Sequence, residues 1–117
     1  MMKKTAVMAL LGLMMTPAVS ITAYADEALI SKGKEVAFDR KKGNCLACHA
    51  IDDGTLPGSS GPPLIAMQAR FPDKDALRAQ IYNPLDRNPD SLMPPFGLHN
   101  ILNDAEIDAI VAYLLTL

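Results

Sequence analysis

The pentapeptide Cys45-Leu46-Ala47-Cys48-His49 constrains this 117-residue chain more than any other feature in it. Two cysteines three apart with a histidine directly after them have the C-x-x-C-H spacing of c-type haem attachment. On one helical turn, residues three apart share a face, so both thiols reach the two vinyl groups along one side of a porphyrin. His49, four beyond Cys45, then comes under the ring to ligate iron. Other uses of the motif fit less well. A structural zinc site needs two further Cys or His ligands, and His99 is the one other candidate. A thioredoxin-like C-x-x-C belongs at a strand-to-helix turn in a βαβ unit, and no strand pattern occurs. A plain disulfide suits an exported protein but leaves His49 without a reason.

Export is written at the N-terminus. Lys3 and Lys4 precede an uncharged apolar stretch from Ala6 to Met15, and small residues close the segment at Ala23-Tyr24-Ala25. This is the layout of a secretory signal peptide, with cleavage predicted after Ala25. The uncharged run from Thr5 to Ala25 is long enough to span a bilayer. Thr16, Pro17, Ser20 and Thr22 dilute its second half, however, and the A-x-A ending favours processing. The expected organisation is therefore a cleaved leader, 1–25, and one domain, 26–117, with no membrane insertion after cleavage. That domain carries nine basic and thirteen acidic side chains, the reverse of the basic excess that marks a nucleic-acid binder.

The domain is short of core. It has no Trp, and its aromatic residues are Phe38, Phe71, Tyr82, Phe96 and Tyr113. Domains this small lean on a disulfide, a metal or another staple, and cysteines three apart close too small a loop to constrain the unfolded chain. A haem supplies the missing apolar surface, at about 25 cal/mol per Å² buried. The haem-free polypeptide is accordingly expected to be largely unfolded.

Helical patterning covers the rest. Residues 27–40 carry a broken apolar stripe (Leu29, Ile30, Val36, Ala37, Phe38), with Gly33 as its weak point. Residues 52–63 are a Gly/Pro/Ser/Asp loop. A short helix is predicted over 64–69. A second is predicted over 73–82, with Asp73 as N-cap, Leu77 and Ile81 four apart, and Pro84 beyond its end. Residues 83–97 hold four prolines and read as an extended loop. Asn103-Asp104-Ala105-Glu106 resembles a capping box opening a final helix. The predicted fold class is all-α, in one domain without repeats.

Three side chains compete for the second axial position on the iron. Met93 lies in Ser91-Leu92-Met93-Pro94-Pro95-Phe96-Gly97, where two prolines exclude helix and push the preceding residue to extended geometry; it is the preferred ligand. Met67 sits near Leu64 and Ile65, where a methionine usually fills core space. His99 would give a bis-histidine site, but a lone loop histidine is more often a surface residue. A backbone carbonyl in Gly61-Pro62-Pro63-Leu64, with Pro62 the first choice, is expected to accept the free ring N–H of His49, fixing the imidazole's orientation. Arg70, Arg78 and Arg87 are available to haem propionates but read equally well as solvated charges.

Further residues carry a resemblance. Arg70-Phe71-Pro72-Asp73, Leu77-Arg78-Ala79-Gln80-Ile81, Asn88-Pro89, Met93-Pro94-Pro95-Phe96-Gly97, His99 with Ile101-Leu102, and Glu106-Ile107-Asp108 together resemble SoxX, the monohaem cytochrome subunits of bacterial SoxAX sulfur-oxidation complexes. The resemblance runs from Gly33 to Leu117. It implies a class I cytochrome c-like fold, one haem c bound through two thioethers, and His49 and Met93 as iron ligands. It also implies a periplasmic heterodimer with a SoxA-like cytochrome, coupling of thiosulfate to a cysteine of a SoxYZ-like carrier protein, and a downstream cytochrome as electron acceptor. Both cysteines of this chain are taken up by haem, so a reactive cysteine would belong to the partner. A free-standing periplasmic carrier serving an oxidase or reductase shares every haem argument and differs in its partner.

Overall fold

The computed structural model describes Gly12 and residues 21–117. Among these residues are four α-helices, α1 (Ile21–Phe38), α2 (Met67–Arg70), α3 (Lys74–Tyr82) and α4 (Asp104–Leu114), with short 3₁₀ turns at Cys45–Ala47 and Pro84–Asp86. Among the described residues there is no strand, only an isolated parallel bridge between Ile51 and Leu64. The all-α expectation holds. Most of the expected leader lies outside the described residues. None of the described helices is long and apolar enough to cross a membrane.

The two helix starts written in polar caps form as read. Asp73 is extended, and its carboxylate accepts the Asp75 N–H at 2.9 Å. At α4 the Asn103 side chain accepts from the Glu106 N–H at 2.9 Å while the Glu106 carboxylate accepts from the Asn103 N–H at 3.0 Å. Two donors that the helix cannot satisfy itself are thereby paired.

Other boundaries differ from the patterning. α1 begins at Ile21, ahead of the expected 27, and crosses the expected cleavage point; it ends at Phe38 rather than 40. Its end is set by a turn in which Gly43 N–H reaches the Val36 carbonyl and Asn44 N–H the Asp39 carbonyl, with Asn44 in the left-handed region at φ 47°. The helix expected over 64–69 is a single turn starting at Met67. Ala66 just before it is left-handed at φ 50°, which breaks any helix running in from Leu64, and Leu64 itself bridges Ile51 with its N–H on the Ala50 carbonyl at 2.8 Å. The loop 83–97 includes the 3₁₀ turn at Pro84–Asp86 and is otherwise irregular.

At Gly33, α1 lies directly against the backbone of α4. A Cβ there would lie 1.9 Å from the Ala109 carbonyl oxygen and 2.8 Å from Tyr113 Cβ. The residue that weakens α1 as an isolated helix lets two backbones meet, a role only a missing side chain can fill. Val36 and Ala37 of α1 and Ile107, Ile110 and Tyr113 of α4 are buried in one core with Leu77 and Ile81 of α3. The Tyr113 hydroxyl donates to Asp52 at 3.2 Å, and Lys34 pairs with both Asp52 and Asp53. The segment just after His49 is thus tied to both long helices.

Candidate haem site

An open cavity of about 740 Å³ is lined by the turn holding Cys45, Cys48 and His49, by Gly61 and Pro62, and by the loop carrying Met93. Its apolar wall comes from Leu64, Met67, Leu77, Ile81, Ile110 and Leu114. The volume falls in the range of roughly 300–1,000 Å³ typical of ligand and cofactor sites. Cys45, Cys48, His49, Pro62 and Met93, singled out in the sequence, all line this one space.

The 3₁₀ turn Cys45–Ala47, with Cys48 and His49 directly after it, presents the two cysteines and the histidine. Cys48 N–H and His49 N–H both donate to the Cys45 carbonyl, at 3.2 and 3.0 Å. The two cysteines are not bridged to each other. Burial, the largest cause, pushes the Cys45 thiol up to about 11.

His49 is fixed by its surroundings. Its Nδ1 lies 2.6 Å from the Pro62 carbonyl oxygen. A carbonyl only accepts, so Nδ1 carries the proton and Nε2 is left with the free lone pair that a metal requires. Gly61 makes room for the ring: a Cβ there would stand 2.3 Å from His49 Cε1. Sequence reading chose Pro62 and passed over Gly61, although a glycine directly before the accepting proline was the available signal.

Met93, in the same lining, is half-buried, with its N–H donating to Ser91 Oγ at 3.2 Å. The loop after it is anchored to the end of α3, where the Tyr82 carbonyl accepts the N–H groups of Gly97 and Leu98 at 3.1 and 3.2 Å. The Tyr82 ring packs against Gly97, where a Cβ would come within 1.9 Å of it. Gln80 of α3 places its amide Nε2 4.0 Å from Met93 Sδ. The sequence signal for Gln80 is a polar residue one turn from Leu77 on a face that is otherwise apolar.

The rival ligands are differently placed. Met67 lines the cavity but is 1% exposed and belongs to the core, with its sulfur accepting from Arg70 at 3.4 Å. His99 is exposed and does not line the cavity. Of the three arginines, Arg78 is spent on Asp104 and Asp108, both at 2.7 Å, and Arg87 lies over the Phe71 ring. Arg70 alone of them reaches the cavity, where it also donates to the Pro63 carbonyl at 2.9 Å. Among the described residues, no group of three or more His, Cys, Asp or Glu is placed to hold a metal ion, which leaves the zinc alternative without ligands.

An imidazole whose Nδ1 is engaged by Pro62, two thiols, a thioether and an apolar wall are the donor set and surface that a haem needs, and the cavity fits one. Residues 30–117 match the family model described as Cytochrome c. Among curated proteins, the chain is similar to an uncharacterized lipoprotein of Aquifex aeolicus (strain VF5), 38% identical over 92 residues. The match covers 74% of this chain and 45% of the relative, so the chain spans less than half the length of the curated relative it matches. The helical fold around the cavity and the family match agree: the chain belongs to the cytochrome c family, with the class I-like all-α fold and covalently bound haem c as its cofactor.

Proposed function

We propose that Cys45 and Cys48 form the thioether bonds, that His49 Nε2 and Met93 Sδ are the axial ligands, and that residues 26–117 are the electron-accepting, SoxX-like subunit of an exported SoxAX-type heterodimer. The observation that carries the ligand assignment is the meeting of His49, its Nδ1 already engaged by Pro62, and Met93 on one apolar cavity. When bound, the haem supplies a one-electron ferric–ferrous couple, and His/Met ligation raises its potential. The Pro62 carbonyl holds the imidazole in one tautomer and increases its basicity. The apolar wall excludes water from the same space.

The SoxX-like assignment rests on the residue resemblance from Gly33 to Leu117 and on the chemistry left over. With both thiols used, the chain keeps no nucleophilic sulfur, so the thiosulfate-linking cysteine belongs to a SoxA-like partner and the sulfur acceptor is a SoxYZ-like carrier. Apolar side chains at the cavity edge favour a subunit over a free carrier: Leu92 is 88% exposed and Ile101 40%, and both line the mouth. The exposed Arg40 and Lys41 on the same rim favour the second reading, a free-standing periplasmic carrier with a charged docking edge. Export is supported by the leader pattern and by the lipoprotein name of the Aquifex relative.

Three experiments test this. The oxidised haem-loaded protein should show an iron–thioether absorption band that Met93→Ala abolishes; a wild type lacking the band, or a variant retaining it, rejects Met93. Purification from the periplasm should bring down a second haem-staining polypeptide, whereas a lone monomer would favour the free carrier. N-terminal sequencing of the same sample should begin at Asp26.

A further inference from the structure

Building on Met93 as an iron ligand, we propose that Gln80 is a positioning residue for that ligand, its side-chain amide donating to Met93 Sδ and so biasing the iron toward the ferrous state. α3 turns Leu77 and Ile81 into the core, 2% and 4% exposed, and Gln80 sits on the cavity side with them. An amide against such a wall is costly unless bonded. The one side-chain hydrogen bond Gln80 makes among the described residues is to Met93 Sδ, at 4.0 Å.

A thioether sulfur has two lone pairs and is a weak acceptor. If one faces iron, an N–H directed at the other does two things. It selects which lone pair is free for the metal, fixing the thioether's handedness, and it draws electron density from the sulfur. A less generous sulfur loses more of its hold on ferric than on ferrous iron, so the donor favours reduction, as hydrogen bonds around a haem's axial ligands generally shift its potential. The same helix anchors the ligand loop two residues on, through the Tyr82 carbonyl. α3 therefore controls both the path of the Met93 loop and the electronics of its sulfur.

The test uses full-length haem-loaded protein, wild type and Gln80→Leu, poised at the wild-type midpoint with a mediator. The ferrous-to-ferric ratio of the variant should fall by about two- to fivefold, the worth of one modest hydrogen bond, with the iron–thioether band kept. An unchanged ratio with the band kept overturns the proposal. A wild type without the band rejects Met93 ligation instead, a separate failure visible before any variant is made. Should Gln80→Leu lose the band or fail to accumulate, proton NMR of the ferrous wild type decides. A nuclear Overhauser contact between the Gln80 amide protons and the Met93 S-methyl is expected, and its absence overturns the proposal.

Discussion

His49 owes its orientation to one carbonyl and one absent side chain. With a Cβ at position 61 only 2.3 Å from the ring, Gly61→Ala must push the imidazole off its seat and stretch the 2.6 Å contact with Pro62. The cost should be that of overpacking, about 1–3 kcal/mol, read as a lower urea midpoint of the haem-loaded protein. At this scale the sequence was legible where spacing encodes chemistry. Cys45, Cys48 and His49 form a local motif, and the Pro62 carbonyl was named from a turn a dozen residues away. Gln80 and Gly61 were missed because their roles exist only once distant segments meet. A polar residue beside Leu77 and a glycine before Pro62 are local signals, but neither says which distant side chain it will meet.

Helices position these residues, and each depends on a few close contacts. Gly97→Ala would drive a methyl group into the Tyr82 ring and lift the ligand loop from α3. The expected outcome is loss of the iron–thioether band while the mass still shows one covalent haem. Gly33→Ala should act on the fold instead, since the α1–α4 crossing has no space for a Cβ. The melting temperature should fall with the optical spectrum intact. Sequence patterning recovered α3 and α4 because side-chain caps mark their first turns. It misread Gly33 as a weak point, since a propensity argument sees an isolated helix and not the Ala109 carbonyl lying against it. It also placed a helix start at Leu64, ahead of Ala66, whose left-handed backbone at φ 50° lets helix begin only at Met67.

Across the whole molecule, ion pairs join segments far apart in the chain. Lys42 beside Glu106, helped by the Asn103 N–H, holds that carboxyl below its ordinary 4.5, and Lys34 likewise lowers Asp53 below 3.8. A lowered carboxyl stabilises the fold above its unfolded pKa, and that contribution is lost as pH falls through the folded value. Urea midpoints should therefore drop below about pH 4.5, and Glu106→Gln should flatten this acid limb. The alkaline limb has the opposite sign. Burial first, then Asp52, pushes the Tyr113 phenol up to about 12, so its contribution is complete below pH 10 and lost as pH rises through that value. The same core opens onto the cavity through Leu64, Met67, Leu77 and Ile81. Cys45→Ala/Cys48→Ala protein, with nothing to cover those side chains, should show no cooperative melt by circular dichroism near the holoprotein's temperature.

The cavity's two walls come from opposite halves of the chain, the tethering turn from the first and the Met93 loop from the second. Pigmentation and redox competence are for that reason separable traits. A strain carrying a damaged second wall should still give pink cells, and colour in a pellet would say little about whether electrons flow.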